Sequence, residues 1–453
     1  MKYLLLKSYT LLSLFILILN LQSQAQETLS LSDAIQIGLA NNYDIRIEKK
    51  TVEIAQNNNN WGEAGRFPTL DFQLQNNNNW RDVKNPASFL QGVTKTNNIN
   101  PVISLNWTLF DGFRANITKT RLEMLQSESE GNAEIIIQNT IQSIILGYYT
   151  AVYEKERIKV LNTTLGVSRD RYEYILLKKE LGSAVTTEVL LEEGNYLTDS
   201  LNLINQANVY RNAVRDLNIL LGIETVNKDY MFSDSLEFNA VSYEYDALYT
   251  KMVDGNADLK KEFITQAILK EDYRLAKADL YPTVDLGASY SFDKSRQDLS
   301  GSSLLESRPD TEPISTARTT NTGINFTLTY NLFNGGKIKR AIKNAQTNYD
   351  IGQLRTEDLK RSLSRDLVAE YDLYNNRLEL KGIAERRKES AELNLSLSEE
   401  QFKTGTISSF DFRDVQINYL NYSLEDLQAT YNLIESNISL LRLTGGIMDE
   451  STN

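Results

Sequence analysis

Arg66-Phe-Pro-Thr-Leu-Asp71 is answered further along the chain by Leu280-Tyr-Pro-Thr-Val-Asp285, at an offset of 214 residues (282 − 68). Asn42 and Asn256 keep that offset. Leu109-Phe-Asp-Gly112 matches Leu332-Phe-Asn-Gly335 at 223 (332 − 109), as do Gly182 with Gly405 and Leu221-Gly222 with Thr444-Gly445. Self-similarity at fixed spacing marks a tandem repeat. The 9 extra residues of the second copy (223 − 214) all fall between Pro282 and Leu332. An insertion confined to one place marks a loop tip.

The six prolines, Pro68, Pro86, Pro101, Pro282, Pro309 and Pro313, all lie in or beside two short regions, leaving Val102–Tyr281 and Ile314 to the end without any. Proline breaks a helix interior at a cost of about 3 kcal/mol, so these stretches permit very long helices. Leu420, Leu424, Leu427, Tyr431, Ile434, Ile438 and Leu441 step by alternating fours and threes, and Ile158, Leu161, Leu165, Tyr172 and Ile175 form a similar line. That is the seam of a coiled coil. An unbroken helix over the roughly 70 residues between Gly112 and Gly182 would reach ~100 Å, and one protomer cannot bury the sides of such a rod.

Around the prolines the period changes to two. Leu70, Phe72 and Leu74 alternate with Asp71, Gln73 and Gln75, and Ile103, Leu105, Trp107 and Leu109 with Ser104, Asn106 and Thr108. The second copy repeats this with Val284, Leu286, Ala288, Tyr290 and Phe292, then with Phe326, Leu328, Tyr330 and Leu332. These predict two β-hairpins, at about 69–110 and about 283–333. Their strands of about 8 to 10 residues have one apolar face, as a tilted bilayer-spanning strand requires. Asn76–Asn100 and Asp293–Asn321, rich in Asn, Ser, Asp, Arg and Thr, read as long solvated loops. The Asn runs at 57–60 and 76–79 are placed at a helix end and a loop start. Trp80 and Trp107 are candidates for an interfacial aromatic belt or ordinary packing.

The N-terminus carries Lys2 and Lys7, an apolar run from Leu11 to Leu19, and small residues at Ser23 and Ala25. This predicts a signal peptide over residues 1–25. A permanent anchor needs about 20 uninterrupted apolar residues, and Ser8, Ser13 and Asn20 break the run. Its removal takes the formal charge from −12 to −14, because two lysines and no acid are lost. Nucleic acid wants basic patches and is not an expected partner. With no Cys and no His there is no disulfide framework, no Ser-His or Cys-His mechanism, and neither of the commonest zinc ligands. No cofactor or metal is expected. No segment after residue 25 is apolar for long enough to span a bilayer as a helix, so entry into a membrane requires a barrel.

The chain therefore divides into a first repeat, 26–222, a joining segment, 223–245, and a second repeat, 246–453, with helical tips at about 182 and 405. Four strands cannot close a barrel, whose smallest filled form takes about eight, and open edges are not tolerated in lipid. Two chains would give a filled eight-stranded barrel and three a twelve-stranded one with a lumen, which the polar strand faces favour.

The tips carry Lys179-Glu-Leu-Gly182-Ser-Ala-Val-Thr-Thr-Glu188-Val-Leu and Gln401-Phe-Lys-Thr-Gly405-Thr-Ile-Ser-Ser-Phe-Asp411-Phe-Arg-Asp414-Val. With the repeat, these segments make the whole mature chain resemble the TolC-type outer-membrane factors of efflux pumps and type I secretion systems. The resemblance implies a mixed α and β membrane protein of Gram-negative bacteria. Three protomers of long coiled-coil helices and four strands would form a homotrimeric twelve-stranded β-barrel in outer-membrane lipid, extended by an α-helical periplasmic tunnel. It also implies a passive conduit rather than an enzyme, with an iris-like gate at tips that dock a periplasmic adaptor and an inner-membrane transporter.

Under the resemblance, Asp411 and Asp414 occupy the positions of a constricting carboxylate ring. They are three apart and share a helix face. Ser408-Ser409-Phe410-Asp411 is also a capping-box pattern, so Asp411 either faces the lumen or caps its helix. Gly182 and Gly405 read as helix-ending residues in a left-handed conformation. The family's lock places a tyrosine three residues before the second tip glycine and an arginine two after it, and here those positions are Phe402 and Ile407. Glu188 keeps the acid of the first repeat without its usual partners. The expectation is closure by apolar packing of Phe402, Ile407 and Phe410.

A trimeric coiled-coil surface or structural protein would share the heptads but not two hairpins at matched offsets. A periplasmic adaptor would need lipoyl-like segments that the chain lacks. A carboxylate-based hydrolase would need a pocket, which long rods do not offer. What passes through the channel, and which transporter class it serves, is not written in this chain.

Overall fold

The computed structural model describes residues 27–88, 90–304, 310 and 312–450, so the expected signal peptide lies outside the described residues. In chain order the elements are β1 (Glu27–Leu29), α1 (Leu31–Asn41), α2 (Tyr43–Asn58), β2 (Thr69–Val83), β3 (Gly92–Phe110), α3 (Arg114–Glu180) and α4 (Thr186–Leu220). Then follow β4 (Tyr230–Phe232), α5 (Tyr245–Gly255), α6 (Ala257–Ala278), β5 (Thr283–Ser302), β6 (Ile314–Thr329), α7 (Lys337–Thr404), α8 (Ser409–Thr444) and α9 (Ile447–Glu450). Residues 52–130 with 262–356 form one compact unit, and the remaining segments form another.

The first of these units holds a four-stranded antiparallel sheet in the order β2-β3-β5-β6. Its register lines up Leu70, Leu105, Ala288 and Ile324 in one row across the strands and Trp107, Leu286 and Phe326 in the next. On the opposite face Asp71, Ser104, Ser289 and Gly323 share a row. The two-residue alternation thus makes one apolar and one polar face. The strands differ from expectation in length: they run for 15, 19, 20 and 16 residues. The Asn-rich stretches read as loops are strand up to Val83 and from Gly92, and up to Ser302 and from Ile314, leaving shorter loops between: Asn76–Asn79 pair with Thr96–Ile99 in unbroken register, and Asn97 donates to Asn76 Oδ1 (2.7 Å) and Asn78 Oδ1 (2.6 Å). Low strand propensity is overridden by cross-strand pairing. The last strand stops at Thr329, short of the 333 expected.

In the other unit the two repeats make the same contacts. Asn42 donates to Leu220 O (2.8 Å) and accepts from the Asp44 and Ile45 amides, while Asn256 donates to Leu443 O (2.9 Å) and accepts from Leu259 N (2.9 Å). Gly222 (φ 68°) and Gly445 (φ 79°) end α4 and α8 in the left-handed region. A Cβ there would meet Asn41 O at 2.5 Å and Gly255 O at 2.4 Å, so both conformation and space demand glycine. The joining segment is not featureless: β4 pairs in parallel with β1, through Glu27–Tyr230 to Leu29–Phe232. Tyr148 secures this pair by donating to Leu29 O (2.9 Å) and Asp234 Oδ2 (2.5 Å). Burial and the Asp234 carboxylate push its phenol upward.

The core lies around Ile35, Ile144, Tyr148, Leu217, Phe232 and Ile434, with a second cluster at Met252, Leu259, Leu367, Tyr374, Leu433 and Leu440. Helix α8 contributes to both. The apolar seam of the sequence packs on the first cluster through Leu427, Tyr431, Ile434, Ile438 and Leu441. A second buried line, Gln416, Ser423, Thr430, Asn437 and Thr444, recurs every seventh residue and is polar throughout.

Candidate functional site

Each helical tip is a tight turn fixed by a glycine. Gly182 (φ 75°) donates to Lys179 O (3.0 Å) and Ser183 N to Lys178 O (2.8 Å), while Gly405 (φ 79°) donates to Phe402 O (3.0 Å) and Thr406 N to Gln401 O (2.8 Å). This is the paired pattern of a Schellman motif, and it satisfies the last carbonyls of α3 and α7. The glycine expectation is met at both positions. Neither glycine is crowded, so the left-handed φ alone is what a side chain would oppose.

Beyond the turns the two copies diverge. Helix α8 starts with Ser408, whose Oγ accepts from Asp411 N (3.2 Å) and donates to Asp411 Oδ2 (2.7 Å), while Ser408 N donates to the same carboxylate (3.3 Å). The Asp411 side chain is therefore engaged in its own cap. Glu188, its equivalent at an offset of 223, sits exposed in the first turn of α4, where Val185 offers no side-chain cap. Asp414 is exposed on the same side of α8 as Asp411 and has no partner among the described residues. Among the described residues no group of three or more potential metal ligands comes together.

The expected apolar trio splits. Phe402 is 6% exposed, stacks on Phe412 (centroids 5.1 Å, planes 12° apart) and takes the edge of Tyr174 at 5.5 Å. Ile407 packs at the border of the same cluster, with Ile175, Val189 and Leu395. Phe410, by contrast, is 67% exposed and takes no part. Two of the three thus pack within the protomer, because α8 turns Phe412 inward and Phe410 outward. Phe412 was missed by sequence reasoning. Its repeat equivalent Val189 is buried beside it, so the 223 offset was the available signal.

Above this cluster lies a buried polar network joining α8 to α3 and α4. Arg413 binds Asp199 through its two terminal guanidinium nitrogens (2.6 and 3.0 Å), and Ser168 donates to the same carboxylate. Arg171 binds Glu192, to which Ser409 also donates. Between the two pairs Gln416 is fully buried. It accepts from Arg171 (2.8 Å) and Arg413 (3.1 Å), and donates to Thr164 O (2.8 Å) and Ser168 Oγ (2.7 Å). Burial pushes the Arg171 guanidinium below its usual value against the pull of Glu192. Two cations face two carboxylates, so the cluster is internally neutral. Buried ion pairs offset their desolvation only when the geometry and the surrounding hydrogen bonds are good. Here almost every donor and acceptor is used.

The network was legible only as a period. Glu192, Asp199 and Gln206 step by seven on α4, as Gln416, Ser423 and Thr430 do on α8, and all are buried. Polar residues at a seam position fix register at a cost in stability. The network thus joins α8 to α3 and α4 through residues other than Phe402 and Ile407.

A family model described as outer membrane efflux protein matches residues 34–223 and 248–446, the two repeats. The outer membrane protein TolC of Escherichia coli (strain K12) is 22% identical over 378 residues, covering 80% of this chain and 73% of that protein. Among solved structures, CusC, described in terms of folding and transmembrane channel formation, superposes with a TM-score of 0.72 at 14% identity, covering 92% of both chains. The CmeC outer membrane channel of Campylobacter jejuni gives 0.70 at 17% identity, covering 92% of this chain and 85% of the other.

Proposed function

The chain belongs to the outer membrane efflux protein family, and from that premise we propose that three copies share one twelve-stranded barrel, prolonged by their helices into a conduit through the periplasm. The protein is an outer-membrane channel of efflux pumps. The observation that carries the trimer is the sheet itself. β2 and β6 are its two edges, each with one partner only, and their apolar side chains Leu70, Phe72, Leu74, Ile324, Phe326 and Leu328 are exposed. Unpaired backbone cannot face lipid, and no helix among the described residues is long and apolar enough to cross a membrane. Pairing β6 of one copy with β2 of the next is a head-to-tail contact that cyclic symmetry closes. The polar faces then line a water-filled lumen.

The helices supply a second reason. Leu190, Leu197, Leu201 and Ile204 form an exposed line on α4, and Leu380, Ile383 and Leu397 another on α7. Covering such a side chain contributes roughly 1.5–3 kcal/mol, and a neighbouring copy offers the matching seam. At the tips, Asp411 holds its carboxylate in its own cap, and three copies of the exposed Asp414 set a ring of carboxylates around the axis that attracts cations. The turns at Gly182 and Gly405, with Glu188 and Phe410 exposed beside them, are the surface offered to an adaptor and, through it, to an inner-membrane transporter. Native mass measurement after detergent extraction tests the assembly. A trimer is expected, and a stable monomer refutes the shared barrel.

A further inference from the structure

The strand registers obey the repeat offsets. In the first hairpin Leu70 faces Leu105 and Gln75 faces Asn100; in the second, 214 and 223 residues further on, Val284 faces Leu328 and Ser289 faces Gly323. The agreement holds from the pair of Thr69 with Asn106 to that of Val83 with Gly92, whose counterparts are Thr283 with Thr329 and Gln297 with Ser315. A register fixed in one copy of the repeat is therefore fixed in the other.

One contact of the sheet has no counterpart within the chain. Strand β3 also meets β5, with Ser104 facing Ser289 and Thr108 facing Asp285, where Thr108 Oγ1 donates to Asp285 Oδ1 (2.7 Å). The counterparts of β3 and β5 are β6 and β2, the two free edges. The difference shows at the strand end. Pairing of β3 with β2 stops at Asn106, so Trp107, Thr108 and Phe110 are held by β5 alone. Their counterparts Tyr330, Asn331 and Phe333 lie beyond the end of β6 at Thr329. Leu332 and Phe333 are each 88% exposed, against 44% for Leu109. Asp71, the counterpart of Asp285, is exposed on the β2 edge.

Resting on the shared-barrel reading, we propose that β6 of one copy takes β2 of the next in the register of β3 on β5. Thr327 then faces Gln75 and Asn331 faces Asp71 on the polar face, while Leu328 faces Leu74 and Tyr330 faces Phe72 on the apolar one. The strand is prolonged through Phe333, and the Asn331 amide donates to the Asp71 carboxylate of the next copy, as Thr108 does to Asp285 within the chain. A slip of one residue would turn the apolar face of one strand to the polar side of its neighbour. A chain alone leaves residues 330–333 without the partner that makes their counterparts strand.

The chain has no cysteine, so introduced thiols report alone. The full-length protein carries T327C with Q73C, Q75C or N77C and is treated in its membrane with a short bis-methanethiosulfonate. Directly opposed residues hold their Cβ atoms about 4.5–5.5 Å apart and diagonal neighbours about 7–8 Å. Within one chain the two edges lie three strand spacings of about 4.8 Å apart, so a link joins two copies and appears as covalent dimer and trimer on denaturing gels. Q75C should link at least about fivefold faster than Q73C or N77C, in keeping with those separations. The in-chain counterpart S104C/S289C should link at a similar rate without a change in mass, which calibrates the geometry. N331C/D71C should also join copies, and linking at Gln75 without it overturns the prolonged strand. Native mass of the same extracts separates the remaining outcomes. A trimer whose fastest link is at Gln73 or Asn77, or which forms none, overturns the register and leaves the shared barrel; a monomer overturns both.

Discussion

Replacing Asp199 by alanine removes one of the two carboxylates that hold α8 to the first helix pair. The Asp199 side chain is 3% exposed and receives both nitrogens of Arg413, itself 15% exposed. Without it, Arg413 keeps only Gln416 Oε1 at 3.1 Å and Ser168 Oγ at 3.2 Å, both neutral. Leaving a buried charge uncompensated costs about 3–5 kcal/mol. The least costly relief is for the start of α8 to swing Arg413 toward water, so the cost appears as easier local opening. At about 1.4 kcal/mol per factor of ten, amide hydrogen exchange in the first three turns of α8 should accelerate by roughly two to three and a half powers of ten, with basal conductance in planar bilayers rising. The double variant Asp199→Leu with Arg413→Met removes both charges together. It should return exchange to within about tenfold of the wild type, because paired replacement is close to neutral. Exchange in Asp199→Ala within a few-fold of the wild type would refute the reasoning. So would a double variant that opens as readily as the single one.

Two further predictions separate roles that share a short segment. Asp411→Ala should destabilise the start of α8 by about 1 kcal/mol through the lost cap, seen as faster exchange there, whereas Asp414→Asn should leave exchange unchanged and weaken cation selectivity in conductance; the reverse pattern would exchange their roles. Gly405→Ala should cost about 1–2 kcal/mol from the left-handed φ alone, while Gly445→Ala should cost clearly more, because its Cβ would also meet Gly255 O at 2.4 Å; thermal unfolding of the two variants side by side measures the difference.

The architecture was legible because it is written in periods, and periods survive without coordinates. The 214 and 223 offsets predict that Asn42 and Asn256 are one position in two copies, and the structure gives both the same carbonyl to hold. Proline placement bounded the long helices for the same reason, since the ring's steric conflict is local. Strand ends were less legible. Asn76–Asn79 look like loop by propensity, yet pairing with β3 keeps them in the sheet.

The tip shows where sequence reasoning stops. Asp411 had two readings from its neighbours alone, and the geometry places its carboxylate on Ser408. Phe410 and Phe412 are both phenylalanine two residues apart, and only the packing of α8 makes one surface and the other core. Arg171, Glu192, Asp199 and Arg413 do not stand out in a chain with 48 basic and 60 acidic residues, and become one buried network only when three helices bring them together. By itself the sequence determined the repeat, the two hairpins, the long helices and the glycine turns, because each depends on periodicity or on the backbone of a few adjacent residues. Which polar side chains are buried together, and therefore what holds the tip, depends on contacts between residues up to about 250 positions apart, and only the tertiary structure decided it.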